Sequence, residues 1–156
     1  MTMLDSPIEE PIAEVAARLE AEFAAFADFT ERVGHVLSLG RRLPRLAPED
    51  CCEDNRVKGC QSQVWVVAAH DADQDRMRLA LDSDAMLMRG LLAMVLRLYG
   101  DRRPDEILAY SPEVVERLLV GRSLAPSRAN GLYLVVKRIR AAAAAASGGR
   151  QMAREA

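Results

Sequence analysis

The sequence predicts a small α+β domain in which helices pack on an antiparallel hairpin sheet. Three observations predict it. Apolar residues recur at helical spacing in several segments, beginning with Ile12 to Phe26. The stretch Val64-Trp65-Val66-Val67-Ala68-Ala69 is apolar at both parities, as a strand covered on both faces would be. After a polar interval, Arg76-Met77-Arg78-Leu79-Ala80-Leu81 alternates, which is the pattern of a returning strand. The chain has 156 residues, enough for one domain that buries roughly 68–70% of its unfolded surface.

Ser6-Pro7 reads as a cap and a first-turn proline ahead of helix one, whose stripe is Ile12, Val15, Leu19, Phe23 and Phe26. Thr30 is the expected cap of a second helix, with Val33, Val36 and Leu37 on one face and Gly40 near its end. Leu43-Pro44-Arg45-Leu46-Ala47-Pro48 then breaks regularity and delivers the chain to a cysteine-bearing region. Asn55 to Lys58 is a candidate short third strand leading into Cys60, and His70 to Asp75 is the hairpin turn. Asp82-Ser83-Asp84 is expected to open a helix carrying Leu87, Leu91, Met94, Val95 and Leu98, with Gly100 closing it; acidic residues suit the dipole at that start. Another helix is expected after Ser111-Pro112, with Val114, Val115, Leu118 and Leu119 inward. Ser127 is the expected cap of the last helix, whose apolar side is Leu132, Val135, Val136 and Ile139 and which Ala141 to Ala146 prolongs. Ser147-Gly148-Gly149 is expected to end it, so residues 1–146 form a single domain and 147–156 a flexible tail. No internal repeat or interdomain linker is legible.

Half the residues are hydrophobic and 28% are charged, a soluble globular composition. The net charge of −2 gives no electrostatic case for nucleic acid or an anionic membrane. Apolar runs fall far short of the about 20 residues a membrane span needs, and the acidic, proline-punctuated N-terminus shows no secretory signal. Three cysteines, two of them adjacent, make a poor disulfide framework. The expected compartment is therefore a reducing cytoplasm.

The chemistry is concentrated in Asn55-Arg56-Val57-Lys58-Gly59-Cys60-Gln61-Ser62-Gln63-Val64-Trp65. In an extended segment Arg56, Lys58 and Cys60 share parity, so their side chains would lie together and the cations would stabilise a thiolate. An unperturbed cysteine titrates near about 8.5, and lowering that by about one unit raises the ionised fraction several-fold at neutrality. Gly59 permits a positive φ at a tight tip and leaves the sulfur unobstructed. From the residues alone, a cysteine used as a small buried hydrophobe remains the alternative.

This run is similar, almost residue for residue, to the signature of the SufE family, the sulfur-acceptor partners of cysteine desulfurases. Further blocks resemble the family in order and spacing: Leu39-Gly40-Arg41-Arg42-Leu43-Pro44; Asp82-Ser83-Asp84 with Arg89-Gly90-Leu91-Leu92; and Leu124-Ala125-Pro126-Ser127-Arg128-Ala129-Asn130-Gly131-Leu132. The resemblance covers roughly residues 10 to 145. It implies an α+β, SufE/IscU-like fold with Cys60 on a loop at the sheet edge, tucked against apolar side chains at rest. It implies that Cys60 takes sulfur from the persulfide of a SufS- or CsdA-like desulfurase and delivers it to a SufB-like iron–sulfur cluster scaffold. Pyridoxal phosphate is expected on the desulfurase and no cofactor on this chain, which is expected not to be a self-contained enzyme and to be a monomer or weak dimer. Arg56, Lys58, Gly59, Gln61, Asp84 and Arg128 are the expected partner-binding residues. Arg128 follows from the family's arginine in that segment, with a surface charge near a helix start as the alternative. Asp84 is explained equally by a helix start, Gln61 and Gln63 would hold the loop by hydrogen bonds, and Trp65 is read as core.

Cys51 and Cys52 depart from the family pattern. Adjacent cysteines chelate one ion poorly and no C-x-x-C pair is present, so no zinc site is expected; Cys52 as a resolving thiol is the alternative to a bystander. With His35 and His70 as the only histidines, most general acid–base machinery is absent. Two other functions stay open beside the relay: a docking activator that takes no sulfur, and a metal or iron–sulfur cluster scaffold.

Overall fold

The computed structural model describes residues 10–110 and 126–155. Helix α1, Ile12–Ala24, buries Ile12, Val15, Ala16, Leu19 and Phe23, the expected stripe with one alanine added. Phe26 lies just past its end and packs partly buried against Phe23, ring centroids 6.1 Å apart. The Ser6-Pro7 start falls outside the described residues.

Helix α2, Phe29–Arg42, is capped by Asp28 and not by Thr30. Asp28 is the last extended residue, and its carboxylate accepts the Glu31 N–H at 2.9 Å; Thr30 already lies within the first turn. Glu31 reciprocates by accepting the Ala27 N–H at 2.7 Å. Gly40 is buried in the last turn, where α2 crosses helix α3, Met86–Tyr99. A Cβ on Gly40 would come within 2.5 Å of the Met86 carbonyl, and one on Gly90 within 2.0 Å of the Val36 carbonyl. The two backbones approach this closely only because both residues lack side chains.

The sheet is a hairpin of β1, Val64–Asp71, and β2, Arg76–Ser83, paired antiparallel from Val64↔Ser83 to Asp71↔Arg76. β1 thus runs through His70 and Asp71, and the turn is the shorter Ala72–Asp75, where Asp71 accepts the Asp73 and Gln74 N–H groups. Val64 and Val66 are buried while Trp65 and Val67 are half-buried, so the faces of β1 are covered unequally. The third strand does not form. Asn55 to Lys58 contributes one bridge, Arg56↔Trp65, with the Val57 N–H donating to Val64 at 2.8 Å, before a left-handed Gly59 turns the chain away.

Asp82 and Ser83 do not open a helix: they end β2, and α3 begins at Met86. The acidic residue is consumed by the core. The Asp82 and Arg89 side chains are 4% and 3% exposed and form a buried ion pair. Arg89 also donates to the Gly40 and Leu43 carbonyls at the end of α2, and Asp82 accepts the Leu46 N–H at 3.0 Å. One ion pair therefore satisfies a helix terminus and pins the segment leading to the cysteines. Leu91, Leu92, Met94, Val95, Leu98 and Tyr99 of α3 form the centre of the core.

Helix α4, Pro104–Ala109, is tied to the last helix by Arg140, which donates to the Ile107, Leu108 and Tyr110 carbonyls. The helix expected after Ser111-Pro112 lies outside the described residues. The last helix, α5, spans Pro126–Glu155 and buries Leu132, Val135, Val136 and Ile139 as expected. It continues through Ser147-Gly148-Gly149, where an end was expected. Extending an existing helix needs no new nucleus, and a glycine within it costs only about 1 kcal/mol. No helix among the described residues is long and apolar enough to cross a membrane.

Candidate functional site

Cys60 sits in a loop whose two ends are fastened firmly and whose tip is held more lightly. On the entry side, two 3-10 turns, Pro48–Asp50 and Glu53–Asn55, are held by the Asn55 amide on the Asp50 carbonyl at 2.9 Å. Arg138 of α5 donates to the carbonyls of Asp54 and Arg56. On the exit side, Gln63 and Asp84 exchange bonds: the Gln63 N–H donates to the Asp84 carboxylate at 3.0 Å and the Asp84 N–H to the Gln63 carbonyl at 3.2 Å. Ser83 Oγ adds a bond to the same carbonyl at 2.7 Å. Between these clamps the tip turns at Gly59, whose φ of 96° suits glycine.

The tip leans on α5. The Asn130 amide reaches the Gly59 carbonyl at 3.4 Å, a long bond. Leu134 packs under Gly59, and Gly131 faces the sulfur at a point that Met88 of α3 also reaches. Cys60 is consequently half-buried against the apolar core. Burial pushes its thiol above the ordinary cysteine range, and the positive charge of Arg56 opposes that without overcoming it.

The sequence-derived picture of two cations beside the thiol is therefore corrected. The turn at Gly59 destroys the common parity of Arg56, Lys58 and Cys60. Lys58, 72% exposed, instead pairs with Glu53 at 3.0 Å, and Arg56 lies 3.6 Å from the other oxygen of the same carboxylate. Glu53 is held below the usual carboxylate range by these two, Lys58 first. Gln61 is exposed at the tip, while Gln63 holds the loop through its backbone and not its side chain. Asp84 is a brace of the loop through the Gln63 bonds. Arg128 lies in the first turn of α5, and its side chain is outside the described residues.

Sequence reasoning missed Arg138, Leu134, Met88 and the Asp82–Arg89 pair as determinants of the site. For Gly131 one signal existed: a glycine interrupting the apolar face of an otherwise strong helix asks for a packing reason.

Cys51 is half-exposed, Cys52 exposed, and all three thiols are free. Partial burial and the nearby Asp82 and Asp50 carboxylates push the Cys51 thiol up. His35 is engaged with Glu22 at 2.9 Å and His70 with Asp75 at 2.8 Å. Among the described residues no group of three or more His, Cys, Asp or Glu is placed to hold a metal ion.

A family model described as SufE, Fe-S metabolism associated domain, matches residues 17–143. The solution structure of a hypothetical protein from Thermus thermophilus is similar to this fold with a TM-score of 0.65, covering 88% of this chain and 96% of that one. The two sequences are 18% identical, so the likeness is one of architecture.

Proposed function

Given that the chain belongs to the SufE family, associated with iron–sulfur metabolism, we propose that it carries sulfur on Cys60 from a cysteine desulfurase to a cluster-assembly scaffold. The observation behind this is the Cys60 loop itself. A thiol is withdrawn from solvent at the tip of a segment that is clamped at both ends and attached at its crest by one long hydrogen bond. Such a tip is suited to enter another protein's site while the rest of the domain stays rigid.

The chemistry is thiol exchange. The Cys60 thiolate attacks the outer sulfur of the donor's cysteine persulfide, forming a new S–S bond as the old one breaks. The donor cysteine leaves as thiolate, and the electrons balance without an external oxidant. Attack on the inner sulfur would instead join the two proteins in a disulfide, so the approach must be oriented. Arg56 is the cation that favours ionisation of Cys60, and Lys58, Gly59, Gln61 and Arg128 are assigned to the surface that meets the donor. The pyridoxal phosphate that liberates sulfur from free cysteine belongs to the donor; this chain supplies an acceptor and is not an enzyme alone.

Incubation with a cysteine desulfurase and cysteine, followed by mass spectrometry, is expected to add one sulfur atom at Cys60, and Cys60→Ser is expected to abolish it. A second reading has one observation in its favour: the burial-raised pKa of Cys60 leaves a poor resting nucleophile. On that reading the loop only docks and activates. Stimulation of the desulfurase that survives in Cys60→Ser, with no sulfur on the wild type, would establish it and end the carrier proposal.

A further inference from the structure

The face of α5 that meets the cysteine loop is shaped by a side chain it lacks. Gly131 is buried within the helix, and a Cβ there would stand 3.2 Å from Cys60 Sγ, 3.2 Å from Met88 Cε and 3.8 Å from Cys60 Cβ. Comfortable packing between heavy atoms begins at about 3.5 Å, so even one methyl group would compete with the sulfur for space. Nothing in a helical backbone calls for glycine at this position, and glycine is among the poorest helix formers. Its counterpart on the loop is Gly59, where a Cβ would come within 3.0 Å of Leu134 Cδ1. Two glycines facing one seam let the loop lie closer to the helix than any larger pair allows.

We infer that Gly131 is the positioning residue for the Cys60 sulfur: the side chain absent there is the space into which the thiol withdraws. This withdrawal does not depend on the carrier proposal above. Met88, itself buried, also borders the space that a Gly131 side chain would take. Filling the space pushes the sulfur toward water, where its ionised form is solvated. The thiol should then titrate closer to a free cysteine.

The test uses Gly131→Ala and Gly131→Leu, both better helix formers than glycine. Iodoacetamide alkylation of Cys60 is followed across pH by peptide mass spectrometry, which keeps Cys51 and Cys52 separate. The alanine variant is expected to react several-fold faster at neutral pH, with its midpoint moved down toward that of free cysteine, and the leucine variant more so. Unchanged alkylation rate and midpoint in Gly131→Ala overturn the positioning role, whether or not the leucine variant folds. Should wild-type Cys60 accept no sulfur from a desulfurase, the carrier proposal falls and the alkylation comparison still decides the role of Gly131.

Discussion

At the scale of single residues, the behaviour of Cys60 is set by two opposed forces, desolvation and the charge of Arg56. Desolvation wins, so the thiol is protonated over more of the pH range than a free cysteine, and its reactivity rises only as pH climbs through the elevated value. Arg56→Gln removes the opposing charge. Alkylation of Cys60 at neutral pH is expected to slow roughly two- to threefold, because less of the thiol is ionised. Lys58→Ala is expected to leave the Cys60 midpoint in place, because Lys58 is held 3.0 Å from Glu53. A large shift in Lys58→Ala would mean that the lysine, and not the arginine, faces the sulfur. The importance of Cys60, Gly59 and Arg56 was legible in the sequence because each depends on residue type at a short spacing. The direction of the thiol's titration was not, since it follows from how deeply the packed core covers the sulfur.

At the scale of elements, the loop is held by groups distant in sequence. Arg138 on α5 bonds carbonyls of Asp54 and Arg56, and Asp84 after β2 bonds Gln63 before β1. Arg138→Met keeps much of the aliphatic stem and removes the donors. Hydrogen exchange at Gly59 to Gln61 is expected to accelerate while the core amides of α3 are unaffected, which hydrogen-exchange mass spectrometry resolves. Equal acceleration in both regions would show that Arg138 supports the whole fold and not the loop. The Asp82–Arg89 pair works on a larger unit, joining α2, β2 and α3. Arg89→Met strands a buried carboxylate and two helix-terminal carbonyls, and is expected to lower unfolding stability by about 3–5 kcal/mol in urea denaturation. A loss within about 0.5 kcal/mol, typical of surface changes, would contradict that role. Periodicity located these helices and the hairpin well, from Ile12 to Phe23 and from Val64 to Leu81. It failed at the boundaries where side chains from elsewhere intervene: Asp82-Ser83-Asp84 is expected to open a helix, whereas Arg89 draws the Asp82 carboxylate into the core.

At the scale of the molecule, α1 is joined to α2 and α3 by one carboxylate. Glu22 accepts from His35 at 2.9 Å and from Arg97 at 3.1 Å, beside the rings of Phe23 and Phe26. Burial raises the Glu22 carboxyl, but the bonds and charges of Arg97 and His35 outweigh it and hold the group below the usual carboxylate range. A depressed folded value means a contribution present above the unfolded value and lost as pH falls through the folded one. Glu22→Gln is therefore expected to cost about 1 kcal/mol or less at neutral pH, as partly exposed pairs do. The difference from wild type is expected to close below the carboxylate range, in denaturation curves taken across pH. A gap that persists unchanged in acid would assign the loss to packing and not to charge.

By itself the sequence determined the α+β class, the hairpin, the core-facing stripes and the cysteine around which a sulfur-transfer function is proposed. All of these are local, because helical and strand periodicities and a tight motif are written in neighbouring residues. Only the tertiary structure decided that Lys58 faces Glu53, that Asp82 is buried, and that the sulfur rests against Gly131. The last of these joins segments as far apart as Asn130 and Gly59, which are 71 positions distant in the chain. Such separations are set by how helices and sheet stack, which no short run of sequence encodes.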